Sequence, residues 1–306
     1  MPNETKTNFL KELSSRYGQV MKLDRSQSLY EIRNSGVRVY IRYSKVHPGE
    51  RTFYGLREDD LRRLEGHPSL ICFLWKGQNE PLFLPYEDYE EVFQALTPAS
   101  DGQYKSQIFF QHDGTELYIP KAGRFNVEGY FGWERLETLL ESTRYVKVPD
   151  FSHEQMQTLL GSIGSMKGFD IWIPQNNRAK LDWTLTSRFG FREVLPHGFE
   201  RIEGVLQEVD VIWIQRGSSE LRALYEVEHS TRIYSALLRF NDIHLIAPNQ
   251  RPGFHVVAKD AKNSLFVRQI NRPTFQISGL CEICSFRKYA DVFVWFNRLK
   301  SDERMQ

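Results

Sequence analysis

Two runs between residues 209 and 228 constrain this chain more than any other part of it. Val209-Asp210-Val211-Ile212-Trp213-Ile214 and Leu221-Arg222-Ala223-Leu224-Tyr225-Glu226-Val227-Glu228 are short and rich in β-branched and aromatic residues. Between them residues 215–220 carry Gly217 and two serines, so the pattern is two strands joined by a turn. Side chains alternate faces along a strand, which puts Glu226 and Glu228 on one face and Val227 on the other. Asp210 lies at the start of the neighbouring strand. If the two strands pair, three carboxylates gather at one end of a sheet, where they repel one another unless a divalent cation neutralises them. Mg2+ is the expected cation, with Mn2+ as a substitute.

The rest of the chain divides around residues 146 and 147. Upstream, residues 29–33 and 37–45 read as strands about Asn34-Ser35-Gly36, and residues 105–111 and 115–120 as a second hairpin turned at His112-Asp113-Gly114. Mixed with short helical stretches, they predict an N-terminal α+β domain over 1–146. In one of these strands Arg38, Tyr40 and Arg42 share a face. Basic groups flanking an aromatic ring suit a phosphate backbone with a stacked base, so these three are candidate substrate-binding residues. Downstream, Ser152-His153-Glu154-Gln155 predicts a capped helix whose Met156, Leu159, Leu160 and Ile163 face a core. A polar connection holding Arg178, Lys180, Arg188 and Arg192 follows the strand 169–173. Glu203 and Glu208 are candidate outer carboxylates for the acidic strand ends, and residues 233–242 are expected to be helical.

Asp210, followed sixteen residues later by Glu226-Val227-Glu228 on an apolar strand, resembles the catalytic signature of the PD-(D/E)xK restriction-endonuclease-like superfamily. The order of elements from about Phe151 to Leu299 is similar as well. The third motif position, usually Lys, is Glu228 here. The resemblance implies an α/β fold over 147–306, with a restriction-endonuclease-like mixed sheet flanked by helices. It also implies that Asp210 and Glu226 bind the metal, that Glu228 stands with them in catalysis, and that the following helix lies beside the site. Tyr234 and Arg239 on that helix are therefore candidates for orienting carboxylates or gripping the scissile phosphate. The implied activity is metal-dependent hydrolysis of DNA phosphodiester bonds, of a bacterial restriction or defence type, with the N-terminal domain recognising DNA or a partner. A homodimer, or a methyltransferase or helicase partner, fits that activity. The alternative is a non-cleaving nucleic-acid-binding or regulatory module on the same fold.

Composition sets outer bounds. Lys and Arg total 40 against 39 Asp and Glu, so no overall field draws the chain to nucleic acid and any affinity must come from a local basic face. Three cysteines and the absence of a long apolar run predict a reducing, cytoplasmic setting and no membrane span. Cys281 and Cys284 are spaced like a metal or redox pair but have no second pair to complete a site, and they are expected to be buried in a strand. There is no phosphate-binding Gly-x-x-x-x-Gly-Lys loop, no His-Glu-x-x-His helix and no Gly-x-Ser-x-Gly elbow. Nucleotide hydrolysis, zinc proteolysis and the common serine hydrolases are thereby disfavoured.

Overall fold

The computed structural model describes residues 4–33, 35–111, 114–144, 148–229, 233–247, 250 and 252–303. Asn34, His112 and Asp113, of the two expected hairpin turns, lie outside the described residues, as do Val146 and Lys147 at the expected boundary. The chain forms two compact units, Met1–Val146 and Lys147–Gln306, each with its own buried clusters.

In the first unit one sheet contains β1 (Val20–Lys22), β2 (Leu29–Ile32), β3 (Arg38–Ser44), β5 (Ser69–Trp75) and β6 (Leu82–Pro85), in that order. A second holds β4 (Arg51–Arg57), β7 (Gln103–Gln111), β8 (Gly114–Ile119) and β9 (Gly123–Asn126). Only β3 and β5 run parallel; the other pairings in this unit are antiparallel. The alternation along β3 explains the layering. Val39 and Ile41 pack with Phe9 and Leu13 of the helix Glu4–Tyr17 and with Leu136 and Leu140 of the helix Glu134–Arg144. Tyr40 points the other way, into the core between the two sheets.

That second face corrects the reading of Arg38, Tyr40 and Arg42 as a nucleic-acid surface. Tyr40 is fully buried, and its hydroxyl accepts a hydrogen bond from the Arg57 amide at 3.0 Å, so no ring face is open to a base. Arg38 is half-buried on Glu31 at 3.3 Å and donates to the Arg63 carbonyl. Arg42 donates to Ser28 Oγ at 3.3 Å. The three do share a face, but it is covered by a second sheet.

The second unit holds one sheet of β10 (Asp170–Trp172), β11 (Val211–Ile214), β12 (Leu221–Glu228), β13 (Gly253–Ala258) and β14 (Cys284–Lys288), paired in sequence order. β10, β11 and β12 are antiparallel, and β12, β13 and β14 parallel. This is the mixed α/β sheet that the element order implied. Both faces are covered. Ile212, Ile214, Leu224, Phe254 and Val256 meet the helices Ile233–Ile246 and Asn263–Ile270. Val211, Trp213, Tyr225, Val227 and Val257 meet the helices His153–Met166 and Tyr289–Glu303. The expected core residues Met156, Leu159, Leu160 and Ile163 are buried there. The capping box at Ser152 and Gln155 is present in both directions, at 3.2 and 3.0 Å.

One expectation changes here. Cys281 lies in the short helix Leu280–Ile283 rather than in a strand, and Cys284 opens β14; both are free thiols. The basic connection after β10 is folded onto the protein: Arg178 lies 4.9 Å from the Phe191 ring and bonds Glu193 at 2.8 Å, and Arg192 reaches Asp170 at 3.4 Å. Among the described residues no helix is long and apolar enough to cross a membrane.

Candidate active site

The register of β11 and β12 assembles the site. Val211 lies opposite Tyr225, so Asp210, one residue earlier, arrives at the level of Glu226. The Val227 amide donates to Asp210 Oδ2 at 2.8 Å, tying the end of one strand to the middle of the acidic triplet. Glu226 and Glu228 share the parity of Leu224 and so look toward the helix Ile233–Ile246. A cavity of about 360 Å3 opens at this edge, lined by His153, Asp210, Glu226, Val227, Glu228, His229, Ser235 and Arg239.

Glu226 is 1% exposed. Arg239 meets it fork to fork, Nε to Oε1 and Nη2 to Oε2, both at 2.7 Å, which is the geometry of a charge-assisted pair. Burial pushes the Glu226 carboxyl up, as do Asp210 and Glu228, while Arg239 pulls it down. Glu226 in turn holds the Arg239 guanidinium above its ordinary range. Arg239 Nη1 also lies 3.6 Å from Glu208 Oε2, so Glu208 joins the site through Arg239. Glu203, the other candidate, instead accepts from Gln207 at 3.1 Å on the surface.

Glu228 is buried in the same cavity, and among the described residues it makes no hydrogen bond or ion pair. Burial raises its carboxyl, and the nearby negative charge of Asp210 raises it further. His229, which strict strand alternation would turn to the far face, lines the cavity one residue beyond the end of β12, its ring 6.4 Å from that of Tyr289. Among the described residues the buried Tyr289 hydroxyl has no hydrogen-bond partner, and burial raises it, with Asp210 and Glu228 adding to the effect.

Tyr234 stands apart from these groups and corrects an expectation. Its ring packs on Phe275 at 5.8 Å with Arg272 4.5 Å above it, and it does not line the cavity. The reason is helical phase. Ser235 and Arg239 are four residues apart and share a face, whereas Tyr234 sits roughly 140° around the helix from Arg239.

Sequence reasoning missed the contribution of the helix His153–Met166. His153 Nε2 lies 3.3 Å from Asp210 Oδ1, and Gln157 Nε2 donates to the Asp210 carbonyl at 2.7 Å. The hydrogen bond to Asp210 raises the His153 imidazole above its ordinary value, against the pull of burial. A signal was there to be read: Gln157 stands one turn after His153 and beside Met156 and Leu160 on the apolar side of the helix, and the structure buries it fully.

The donor set suits a hard divalent ion, because Asp210, Glu226 and Glu228 offer only carboxylate oxygens. Their lone pairs are partly committed, Glu226 to Arg239 and Asp210 to Val227 and His153. Among the described residues no three His, Cys, Asp or Glu side chains already converge as metal ligands.

Residues 139–300 match the family model of the type II restriction enzyme NmeDI C-terminal domain. The type II restriction enzyme NmeDI of Neisseria meningitidis serogroup C is 29% identical over 134 residues, covering 40% of this chain and 37% of that protein. The chain thus spans little more than a third of the length of the curated relative it matches. The family match takes in the whole of the five-stranded sheet and every residue lining the cavity, over more than half of the chain, and the protein belongs to the family of the type II restriction enzyme NmeDI C-terminal domain.

Proposed function

We propose that this chain is a Mg2+-dependent endodeoxyribonuclease of restriction type, a PD-(D/E)xK variant in which Glu228 takes the place of the motif lysine. The observation that carries the reading is the joining of Asp210 to the Glu226-Val227-Glu228 strand, with all three carboxylates on one cavity. Membership of a restriction enzyme family supports it, and so does the burial of both glutamates beside Asp210, whose charge adds to the raising of each.

Asp210 and Glu226 would hold the metal. Bound there, a magnesium ion supplies Lewis-acid polarisation of the phosphoryl oxygen and an acidified water. The protein's own residues have separate tasks. The Val227 amide fixes one Asp210 oxygen, and His153 holds the other, so this carboxylate is oriented before substrate arrives. Glu228, buried, raised and without a side-chain partner among the described residues, is a carboxylate able to accept the proton of an attacking water. It supplies none of the positive charge that a lysine gives a developing phosphorane, so that charge falls to Arg239. A dimer of such sites would cut both strands of a duplex, and residues 1–146 would recognise DNA or a partner.

Nicking of supercoiled plasmid tests the reading. Asp210→Ala and Glu226→Ala are expected to reduce Mg2+-dependent nicking to background while gel retardation of DNA stays largely intact. Unchanged nicking by either variant would move the site elsewhere. DNA binding by the unsubstituted chain that is indifferent to Mg2+, with no nicking, would favour a non-cleaving module.

A further inference from the structure

Arg239 engages Glu226 through a contact that a bound cation would have to break. Both Glu226 oxygens accept from it at 2.7 Å, and the side chain is buried, so an incoming ion finds its ligand already occupied. The same guanidinium reaches outward. Its Nη1 lies 3.6 Å from Glu208 Oε2, on a side chain 68% exposed. One arginine therefore spans an inner and an outer acid.

We propose that Arg239 is a resident counter-ion that yields Glu226 to a divalent cation and transfers its weight onto Glu208. This inference rests on the metal-binding reading above. Three carboxylates face one cavity with His153 beside Asp210, and the two buried glutamates add to that negative charge, a costly arrangement that the guanidinium relieves. A divalent ion brings twice the charge and prefers oxygen donors. A cation chelated by both Glu226 oxygens competes with the guanidinium fork for the same in-plane lone pairs, so binding in that mode displaces Arg239. Glu208 keeps the exchange shallow, because the displaced group retains an anionic partner rather than entering water alone. The exchange also frees donors whose planar fork matches a phosphate. Cation binding and readiness to hold the phosphodiester are thus a single event.

Calorimetric titration of the full chain with Ca2+, in the absence of DNA, tests this. Arg239→Met is expected to bind Ca2+ roughly tenfold more tightly than the unsubstituted chain, with Arg239→Lys in between because an ammonium cannot pair at two points. Glu208→Gln is expected to weaken binding severalfold, and that effect should vanish in the Arg239→Met background. Glu226→Gln should lose Ca2+ binding. If neither Arg239 variant binds more tightly while Glu226→Gln loses binding, the exchange is overturned and the metal site stands. If Glu226→Gln binds like the unsubstituted chain, or if no chain binds Ca2+, the metal site falls and the exchange with it. Thermal melts establish that each variant is folded. Should Arg239→Met fail to fold, with Glu226 left unpaired, the Lys variant decides. Glu208→Gln with unchanged affinity removes Glu208 from the exchange.

Discussion

The carboxylates of the site differ in what restrains them, and the difference has a measurable consequence. Glu226 has a guanidinium and Asp210 an amide and an imidazole, but the Glu228 carboxyl has no such partner among the described residues. A carboxyl raised above its ordinary 4.5 by burial and by Asp210 binds its proton more tightly in the folded chain than in the unfolded one. It therefore contributes stability that is complete below about 4.5 and is lost as pH rises through the raised folded value. His153, also raised, acts with the same sign, its contribution being complete below the ordinary 6.5 and lost above. Relative to the unsubstituted chain, Glu228→Gln, which cannot ionise, is accordingly expected to gain in melting temperature as pH rises from the acid side toward neutrality. Parallel curves for the two chains would mean that Glu228 is no more perturbed than a surface acid. At this scale the acids were legible because a strand's alternation is visible in sequence. Tyr40 and Tyr234 were not, because what covers a face, and which phase a helix adopts against its neighbours, are settled by tertiary packing.

The element that positions the site without supplying a strand is the helix His153–Met166. Its start was legible from Ser152 and Gln155, and its core stripe from the spacing of Met156, Leu159, Leu160 and Ile163. Its closeness to the sheet and to the connection after β10 was not, because that depends on Gly164 and Gly161, two positions without side chains. A Cβ at Gly164 would meet Trp213 Nε1 at 2.5 Å and Ile171 Cδ1 at 2.6 Å, and one at Gly161 would meet the Phe189 ring at 2.2 Å. The Trp213 indole also donates to the Leu160 carbonyl at 3.0 Å. Gly164→Ala thus forces the helix off β11, and overpacking of this kind costs about 1–3 kcal/mol. Because His153 and Gln157 hold Asp210 from the same helix, the change should reduce nicking as well as lower the melting temperature. Ser152→Ala makes a useful contrast. Loss of a cap costs about 1 kcal/mol, but it leaves the packing on Trp213 in place, so stability should drop with a smaller change in nicking. Equal activity losses in the two variants would show that the close approach of the helix has no special role.

The chain divides into units that bury their apolar residues separately. The clusters built on Tyr40 and Ile41 contain only residues before 141, and those built on Leu224 and Tyr225 only residues after 150. The family match reaches from 139 to 300 and so falls mainly on the second unit. Mixed strands and helices announced an α+β body and an α/β body in the sequence, but the doubly covered sheet of the first did not announce itself, since a strand buried on both faces can still carry arginines that fold back onto their neighbours. A protein fragment of residues 147–306 tests the division. It retains an uninterrupted five-stranded sheet, the helices on both its faces and every cavity-lining residue, so it is expected to melt cooperatively and to bind Ca2+ with the affinity of the full chain. If residues 1–146 recognise DNA, gel retardation by the fragment should weaken and lose its preference among duplexes of different sequence, while any residual nicking remains sensitive to Glu226→Ala. A fragment that is unfolded by circular dichroism would make the first unit a structural requirement of the second. A fragment that retains both the affinity and the preference of the full chain would place recognition beside the acidic strands.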